Sequence, residues 1–329
     1  MRRNPISASV DFEKDGVQHG HLRLPYSRNE SAWGSVMIPL TVVKRGAGPV
    51  ALLTGANHGD EYEGPLALFD LARSLKAEGV TGTVIIVPAM NYPAFAAGTR
   101  VSPLDGVNMN RAFPGAPDGT PTQKIADYFQ RTLLPMADVV LDFHSGGKTL
   151  DFLPFAASHV LDDKVQERQC RAARDAFNAP FSVEMREIDA LGMYDDAAEM
   201  MGKVFVTTEL GGQGTATPYT TGIARKGVRN LLIYAGILAG ELEIGPTRHL
   251  SQPDDDCFHF TDEGGLLELL IALGDPVRAG DPVARIWPMG RTGAEPRVMH
   301  AQRDGLLMAR HHPGICRAGD CIAVLAVEH

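Results

Sequence analysis

Basic clusters, long apolar runs and cysteines are all scarce in this 329-residue sequence. Lysine and arginine total 31 against 40 aspartate and glutamate residues, which gives a net charge of −9. Nucleic acid is not an expected partner, because binding a phosphate backbone requires a concentrated basic surface. No apolar run is long enough to span a bilayer, and none follows the basic N-terminus as in a signal peptide. We therefore expect no membrane association.

The few cysteines are irregularly spaced, and the sequence offers no disulfide framework. They are Cys170, Cys257, Cys316 and Cys321. Such usage is typical of reduced thiols in a cytoplasmic protein. His311 and His312 precede Cys316 closely, but the spacing matches no standard zinc-ribbon pattern. Buried thiols and surface histidines are the favoured interpretation.

Predicted strands and helices alternate between residues 49 and 245, after a first stretch of about forty residues that predicts short strands and turns. Apolar runs predict strands at 50–55, 84–88, 139–143 and 204–208, and helical spacing of apolar residues predicts helices at 63–76, 123–134 and 228–242. This alternation is typical of an α/β domain with a largely parallel central sheet. We place that domain at residues 1–245.

Residues 246–329 show no sustained helical periodicity and contain a weak repeat of about forty residues. Arg278–Ala284 reads Arg-Ala-Gly-Asp-Pro-Val-Ala, and Arg317–Ala323 reads Arg-Ala-Gly-Asp-Cys-Ile-Ala. Equivalent halves with Gly-Asp turns predict a small β-sandwich, similar to the barrel-sandwich fold of biotinyl and lipoyl carriers. Residues 287–304, between the halves, contain no lysine for a prosthetic group. We therefore expect a structural or lid-forming domain that carries neither biotin nor lipoate.

Two predicted strands end in histidines that could share a metal ion. The first is followed by His58 and Glu61, and the second ends at His144. In open α/β sheets, ligands bind at the carboxyl ends of the strands. Two histidines and one glutamate would leave the fourth position of a zinc ion open for water, as in catalytic zinc sites. A histidine at a strand end can also be an ordinary hydrogen-bonded core residue.

A third predicted strand, 204–208, is followed directly by Glu209. A carboxylate beside the metal that does not bind it is what deprotonation of a water requires. The position therefore makes Glu209 a candidate general base, although a solvated strand end is the alternative.

A Gly/Pro-rich loop carries Arg100, Asn108, Asn110 and Arg111. A guanidinium group matches a carboxylate in a bidentate manner, and a second cation could stabilise the oxyanion of a tetrahedral intermediate. The loop therefore suits anion recognition, with a polar surface loop as the alternative.

Taken together, these motifs resemble the succinylglutamate desuccinylase/aspartoacylase family, which is related to the zinc carboxypeptidases. The matching segments, in the family's order within residues 45–240, are His58-Gly-Asp-Glu61, Asn108-Met-Asn110-Arg111, His144 and Thr208-Glu209. The resemblance implies a zinc-carboxypeptidase-like mixed central sheet flanked by helices and a trailing β domain. It further implies one Zn²⁺ on His58, Glu61 and His144, and Glu209 as the general base.

For the substrate, the resemblance implies that Asn110 and Arg111 bind an α-carboxylate and that Arg100 polarises the scissile carbonyl. Aspartoacylases typically have Asp-Leu-Asn-Arg where this chain has Asn108-Met109-Asn110-Arg111. The version found here is more similar to the branch that deacetylates Nα-acetyl-L-2,4-diaminobutyrate in ectoine breakdown. The expected substrate is thus a small N-acyl amino acid. The side-chain ammonium group of diaminobutyrate calls for an acidic partner, and residues 184–199 are rich in acidic residues.

Other functions remain as alternatives. An aspartoacylase or desuccinylase would act on another N-acyl amino acid, and a zinc carboxypeptidase would use the same metal and base. A non-enzymatic protein with a degenerate metal site is a further alternative. A serine hydrolase is disfavoured because Gly-x-Ser-x-Gly is absent, and a P-loop because Asp142 stands where its first glycine is required. The sequence is compatible with a homo-oligomer.

Overall fold

The computed structural model describes residues 3–185 and 191–329, which form two β-sheets and seven α-helices. The strands are β1 (Ser7–Ala8), β2 (Gly16–Pro25), β3 (Ser35–Arg45), β4 (Val50–Gly55), β5 (Gly82–Val87), β6 (Val139–His144), β7 (Leu150–Phe152), β8 (Phe155–His159), β9 (Phe181–Met185), β10 (Val204–Glu209), β11 (Arg248–Ser251), β12 (Phe258–Phe260), β13 (Gly265–Leu269), β14 (Pro276–Val277), β15 (Pro282–Trp287), β16 (Arg297–His300), β17 (Gly305–His311), β18 (Ile315–Cys316) and β19 (Cys321–Glu328). The helices are α1 (Glu63–Ser74), α2 (Tyr92–Ala97), α3 (Pro121–Tyr128), α4 (Leu134–Met136), α5 (Lys164–Phe177), α6 (Tyr194–Glu199) and α7 (Pro218–Tyr234). No helix in these two ranges is long and apolar enough to cross a membrane.

The larger sheet is mixed, in agreement with the predicted α/β class. Its strand order is β1-β2-β3-β5-β4-β6-β10-β8-β9-β11-β19-β17-β14. The central strands β5, β4, β6 and β10 are all parallel, whereas β8 runs antiparallel to β10. The predicted strands at 50–55, 84–88, 139–143 and 204–208 correspond to these four central strands.

Two elements differ from the sequence prediction. Apart from the short β1, the first forty-odd residues form one long antiparallel hairpin of β2 and β3 where short strands were predicted. Gly20 and Pro39 lie inside these strands, and locally such residues favour turns and shorter strands. The predicted helix at 228–242 is displaced, since α7 begins ten residues earlier at Pro218 and ends at Tyr234. The side chain of Thr217 accepts the N–H of Thr220 and caps that start, a signal that the apolar pattern alone does not carry.

Apolar residues fill both faces of the larger sheet. One core lies on the side of α3 and α6 and includes Leu52, Val140 and Phe205. The other lies beneath α1, α5 and α7 and includes Leu53 and Leu141. Successive residues of β4 and β6 thus point into different cores, as the two-residue period of a strand requires. Both faces of the central strands are buried, which holds their carboxyl ends in fixed register.

The two copies of the sequence repeat form the same turn. In each, the aspartate side chain accepts the backbone N–H of the arginine, Arg278 to Asp281 at 2.9 Å and Arg317 to Asp320 at 2.8 Å. The glycine before each aspartate has φ near +90°, a conformation that favours glycine. The second sheet has the order β16-β15-β13-β18. The first turn leads from β14 of the larger sheet to β15 of the second sheet, and the second turn leads from β18 of the second sheet to β19 of the larger sheet.

Strands of the C-terminal segment also pair with strands of residues 1–245. β11 runs parallel to β9, and β17 runs antiparallel to β7, which lies just after His144 in the chain. Arg310 on β17 donates to Asp151 Oδ2 through Nη2 at 2.9 Å and Nε at 3.1 Å. Gln213 Nε2 donates to the same oxygen at 2.7 Å. Three donors on a buried carboxylate therefore join the C-terminal segment to the loop after β6.

We expect Arg310→Met to lower the free energy of unfolding by about 1–3 kcal/mol. A buried carboxylate that loses its charged partner costs about 3–5 kcal/mol, and the partial exposure of Arg310 reduces that cost. Urea denaturation monitored by far-UV circular dichroism measures the change. Arg248→Met is the matched control, because Arg248 pairs with Glu328 between strands too, but with both side chains about half exposed. Equal losses in the two variants would contradict the role of the Arg310–Asp151 pair.

Candidate active site

The carboxyl ends of three parallel strands bring the predicted site residues to one edge of the sheet. β4 and β10 flank β6, with Gly55 opposite Phe143 and His144 opposite Glu209. His58 and Glu61 lie in the turn that connects β4 to α1. Residues separated by up to 151 positions in the sequence therefore converge because their strands are adjacent.

The side chains of His58, Glu61 and His144 form a group of potential metal ligands. His58 Nδ1 lies 2.7 Å from Glu61 Oε1, and His144 Nδ1 lies 3.0 Å from Glu61 Oε2. One ligand atom from each residue lies within 4.8 Å of the other two. His58 and Glu61 are buried, and the side chain of His144 is 10% exposed. Within the described ranges, this is the one group of three such side chains with that geometry.

Each histidine has a second partner on its outer side. His58 Nε2 is 3.1 Å from Asn108 Oδ1, and His144 Nε2 is 2.9 Å from Asp142 Oδ2. Because both partners are acceptors, each Nε2 donates its N–H, and each Nδ1 can then present a lone pair towards Glu61. Two nitrogen lone pairs and a carboxylate facing one another are a donor set that fits a cation.

The electrostatics of the group favour an ionised Glu61. Burial by itself would raise the pKa of Glu61, but the charges of His58 and His144 hold that pKa below its ordinary value. Burial lowers the pKa of His58, which favours its neutral, metal-binding form. His144 differs, because burial is outweighed by Asp142 and Glu61, which raise the pKa of its imidazole. A bound cation would replace the proton that these carboxylates otherwise attract to His144.

Glu209 lies beside this group and has an oxygen available to accept a proton. Its Oε2 atom is buried and has no hydrogen-bond partner in the structure. Burial and the neighbouring charge of Glu61 raise the pKa of Glu209 to about 8, so without a cation this carboxyl group is mostly protonated at neutral pH. A cation on the neighbouring ligand group would lower that pKa and leave the carboxylate ionised. A buried carboxylate oxygen without a partner is costly, so Glu209 is a candidate for function.

A second buried carboxylate near the site, Glu63, was not identified from the sequence. It is the first residue of α1, and Thr220 Oγ1 donates to its Oε1 at 3.3 Å. Burial raises the pKa of Glu63 to about 7. Its sequence position, two residues after Glu61, was the available signal, but an acidic residue in a first helical turn is common.

The arginine predicted to lie near the scissile bond is placed at the metal-ligand group. Arg100 Nη1 lies 3.7 Å from Glu61 Oε1, and about half of the Arg100 side chain is exposed. The loop that carries it is anchored beside the ligands, since the N–H of Gly59 donates to the carbonyl of Thr99 at 3.0 Å. The guanidinium group of Arg100 therefore lies at the edge of the candidate metal-ligand group.

Asn110 and Arg111 lie in a short 3₁₀ turn, Met109–Arg111, that adjoins the same site. Asn108 begins this turn by accepting the N–H of Asn110, with the same oxygen that accepts from His58. Asn110 is buried, whereas Arg111 is exposed and donates from Nη1 to the Asn110 carbonyl at 2.6 Å. The predicted anion-binding pair is thus connected through Asn108 to His58, a candidate metal ligand.

The acidic segment 184–199 supplies fewer free carboxylates than its sequence suggests. Glu184 pairs with Arg171 at 2.9 Å, and Glu199 pairs with His159 at 3.0 Å. Asp195 lies 3.8 Å from His159, so it also belongs to that buried cluster. Three acidic residues of the segment remain as candidates for the ammonium partner. Asp196 is described, whereas Glu187 and Asp189 lie outside the described residues.

Three polar residues behind the site have no role predicted from the sequence: Thr54, Asn57 and Asp142. Asn108, predicted only as part of the anion-recognition loop, accepts from His58. Asp142 could have been found, because it lies two residues before His144 on a strand and therefore on the same face. Thr54 Oγ1 donates to Asp142 Oδ1 at 2.7 Å because β4 and β6 place them side by side. The other contacts depend on loop conformation, for which the sequence had no specific signal.

Comparisons with known proteins extend these observations. A model of the succinylglutamate desuccinylase/aspartoacylase catalytic domain matches residues 47–235. The chain is 57% identical over 328 residues to the Nα-acetyl-L-2,4-diaminobutyric acid deacetylase of Halomonas elongata, covering 99% of this chain and 96% of that protein. The product-bound ectoine utilization protein EutE of Ruegeria pomeroyi matches with a TM-score of 0.98 and 62% identity, covering 99% of this chain and 100% of that one. A succinylglutamate desuccinylase structure from Silicibacter sp. TM1040 matches with a TM-score of 0.98 and 61% identity over 100% of both chains.

Proposed function

Since the chain belongs to the succinylglutamate desuccinylase/aspartoacylase family, we propose that it deacetylates Nα-acetyl-L-2,4-diaminobutyrate to acetate and L-2,4-diaminobutyrate in ectoine catabolism. The reaction is hydrolysis of a linear amide bond with one metal ion per chain. One observation supports hydrolysis above all others: Glu209, with an unpartnered buried oxygen, lies opposite His144 at the end of the adjacent strand. The choice of substrate rests on the full-length similarity to the deacetylase.

The residues fit a zinc ion. Two imidazole nitrogens and one carboxylate, from His58, His144 and Glu61, are a ligand set that zinc takes in catalytic sites. The outer acceptors Asn108 and Asp142 fix the imidazole orientations that such a set needs. When bound, the ion supplies Lewis acidity, which lowers the pKa of a water to about 7 and polarises a carbonyl oxygen.

The remaining chemistry belongs to the side chains. Glu209 Oε2 takes a proton from the attacking water and passes it to the α-amino nitrogen of the leaving diaminobutyrate. Arg100 donates to the carbonyl oxygen of the acetyl group as negative charge develops there. Asn110 and Arg111 hold the α-carboxylate of the substrate, which fixes the amide between Arg100 and Glu209. Water adds across the C–N bond, so one acetate and one free amine leave.

The side chain of the substrate distinguishes this proposal from its nearest alternatives. Diaminobutyrate ends in an ammonium group, whereas aspartate ends in a carboxylate. The described site already contains the carboxylates of Glu61, Glu63, Glu209 and Asp142. Arg100 at Glu61 and Arg111 in the adjoining turn are the cations placed near them. A further anion would add repulsion in a poorly solvated site, and an ammonium would not.

We expect kcat/KM for Nα-acetyl-L-2,4-diaminobutyrate to exceed that for N-acetyl-L-aspartate by at least about tenfold, because a buried site rejects a substrate that leaves a charge unpaired. Release of the free amine from both compounds, and from N-succinyl-L-glutamate, measures the preference. The succinyl compound is included because the Silicibacter relative is described as a desuccinylase. Preference for the aspartate or succinyl compound would replace this substrate with the corresponding alternative, and cleavage of a C-terminally free peptide would favour a carboxypeptidase.

The C-terminal segment, residues 246–329, completes the proposal as a small domain of the barrel-sandwich type. Its apolar core includes Val283, Leu307, Ile322 and Leu325. The absence of lysine from residues 287–304 supports a structural role without biotin or lipoate. A cytoplasmic location and a homo-oligomer remain predictions from the sequence.

A further inference from the structure

Asn57 lies between the metal-ligand group and the predicted substrate-binding amide. It is completely buried, in the turn after β4 and directly before His58. Its Nδ2 atom donates to Asp142 Oδ2 at 3.1 Å and to Asn110 Oδ1 at 3.2 Å. Both partners are acceptors, so the orientation of the Asn57 amide is determined by its neighbours.

The first contact acts on the metal side. Asp142 Oδ2 accepts from Asn57 and also from His144 Nε2. Thr54 occupies the other oxygen of the same carboxylate. Asn57 thereby helps to hold Asp142 in the position that orients His144. Outer partners of metal-binding histidines affect metal affinity by about 10–100-fold.

The second contact acts on the substrate side. Asn110 Oδ1 accepts from Asn57 Nδ2 and from the backbone N–H of Tyr194 at 3.0 Å. Both lone pairs of that oxygen are then used, which leaves the NH₂ group of Asn110 as the edge available to a ligand. An amide turned the other way would present an oxygen to the substrate carboxylate and repel it.

The position of Asn57 is itself fixed by neighbouring backbone. The N–H groups of Met90 and Asn91 donate to the carbonyls of Gly55 and Ala56, and Asn91 Nδ2 donates to the carbonyl of Asn57 at 3.2 Å. Ala56 has φ of +50°, an uncommon conformation for a residue other than glycine. This local strain is retained where it turns Asn57 towards both partners.

We propose that Asn57 is a positioning residue that serves both halves of the site: it orients His144 through Asp142 and turns the NH₂ of Asn110 towards the substrate. The substrate half of this inference rests on the proposed function, whereas the metal half does not. Loss of Asn57 should therefore weaken metal binding and substrate binding together. Loss of either partner alone should affect mainly one of them.

The test compares Asn57→Asp with Asn110→Ala and Asp142→Asn. Zinc affinity is measured by competition with a chromogenic chelator, and KM and kcat are measured with Nα-acetyl-L-2,4-diaminobutyrate. For Asn57→Asp we expect zinc affinity to fall at least about tenfold and KM to rise at least about tenfold. Asn110→Ala should raise KM with zinc affinity unchanged, and Asp142→Asn should lower zinc affinity with the smaller effect on KM.

Asn230→Asp is the matched control for stability. Asn230 is equally buried and bonds the backbone of Glu243 from α7, outside the site. The Asn230→Asp substitution should lower the melting temperature without changing zinc affinity or KM.

If Asn57→Asp does not fold, Asn57→Ser keeps one possible hydrogen-bond donation, and its zinc affinity and KM should lie between those of the wild type and those expected for full loss of the Asn57 contacts. Wild-type zinc affinity and KM in a folded Asn57 variant would overturn the inference. A wild-type protein that cleaves none of the acyl amino acids would instead refute the proposed function, and zinc affinity would still decide the metal half.

Discussion

Removal of the metal is expected to abolish amide hydrolysis, and zinc added back in equimolar amount is expected to restore it. The physical reason lies in the donor set, since Glu61 faces Nδ1 atoms of both histidines at 2.7 and 3.0 Å. Without a cation, this arrangement can only hold protons, and a protonated histidine offers no Lewis acid to the substrate. Dialysis against a chelator, followed by metal analysis and amine release, measures both content and activity.

His144→Ala tests the site assignment directly. We expect the variant to lose most of its metal and its activity, because two ligands remain where catalytic zinc sites use three from the protein. His159→Ala is the matched control, since His159 is also buried and hydrogen bonded to a carboxylate, but outside the ligand group. The control should keep one ion per chain. Full metal content and full activity in His144→Ala would show that the ligands were assigned wrongly.

The convergence of the site residues could be predicted from sequence because it depends on a general property of parallel sheets. Apolar runs locate β4, β6 and β10, and a chemically distinctive residue lies at the end of each strand or within three residues of it. Once three such strands are adjacent, His58, His144 and Glu209 must come close together. The roles of these residues remain predictions, whereas their proximity is a property of the fold.

The surroundings of the site were harder to predict, because they depend on contacts between distant segments. Arg310 and Asp151 are 159 residues apart, and they meet only because β17 pairs with β7. Neither residue stands in a motif that marks the other as its partner. Asn57 is similar, since its two contacts exist only because the turn carrying Asn110 and the strand carrying Asp142 meet at its amide. Local patterns specify strands and turns, and side-chain networks between them require the tertiary structure.

The start of α7 shows a different limit. Thr217 caps this start, and the first ten residues of α7 include several polar residues as well as Gly222 and Gly227. These residues weaken a helical pattern that is based on apolar spacing. Gly227 packs against the ring of Phe177, where a side chain would meet the aromatic carbons. The glycine that disfavours a helix locally is thus required by the packing of α7 on α5.

Glu209→Gln is expected to lower kcat by at least about 10²-fold, the usual scale for loss of a general base, while the metal stays bound. Glutamine keeps the shape of glutamate, but its amide accepts no proton at neutral pH. Oε2 of Glu209 is buried without a partner, so the substitution breaks no hydrogen bond made by that atom. Single-turnover and steady-state rates, measured on protein of known metal content, separate this loss from a loss of metal.

Glu63→Gln is the control that makes the result specific to Glu209. Both carboxylates are held in surroundings that raise their pKa values, Glu63 to about 7 and Glu209 to about 8. Each has one buried oxygen without a hydrogen-bond partner, but the other oxygen of Glu63 accepts from Thr220, whereas Glu209 lies opposite His144 across β6 and β10. Glu63→Gln should therefore change kcat little. If Glu209→Gln retained near-normal turnover, or if both variants lost activity equally, proton transfer would have to be assigned to another group.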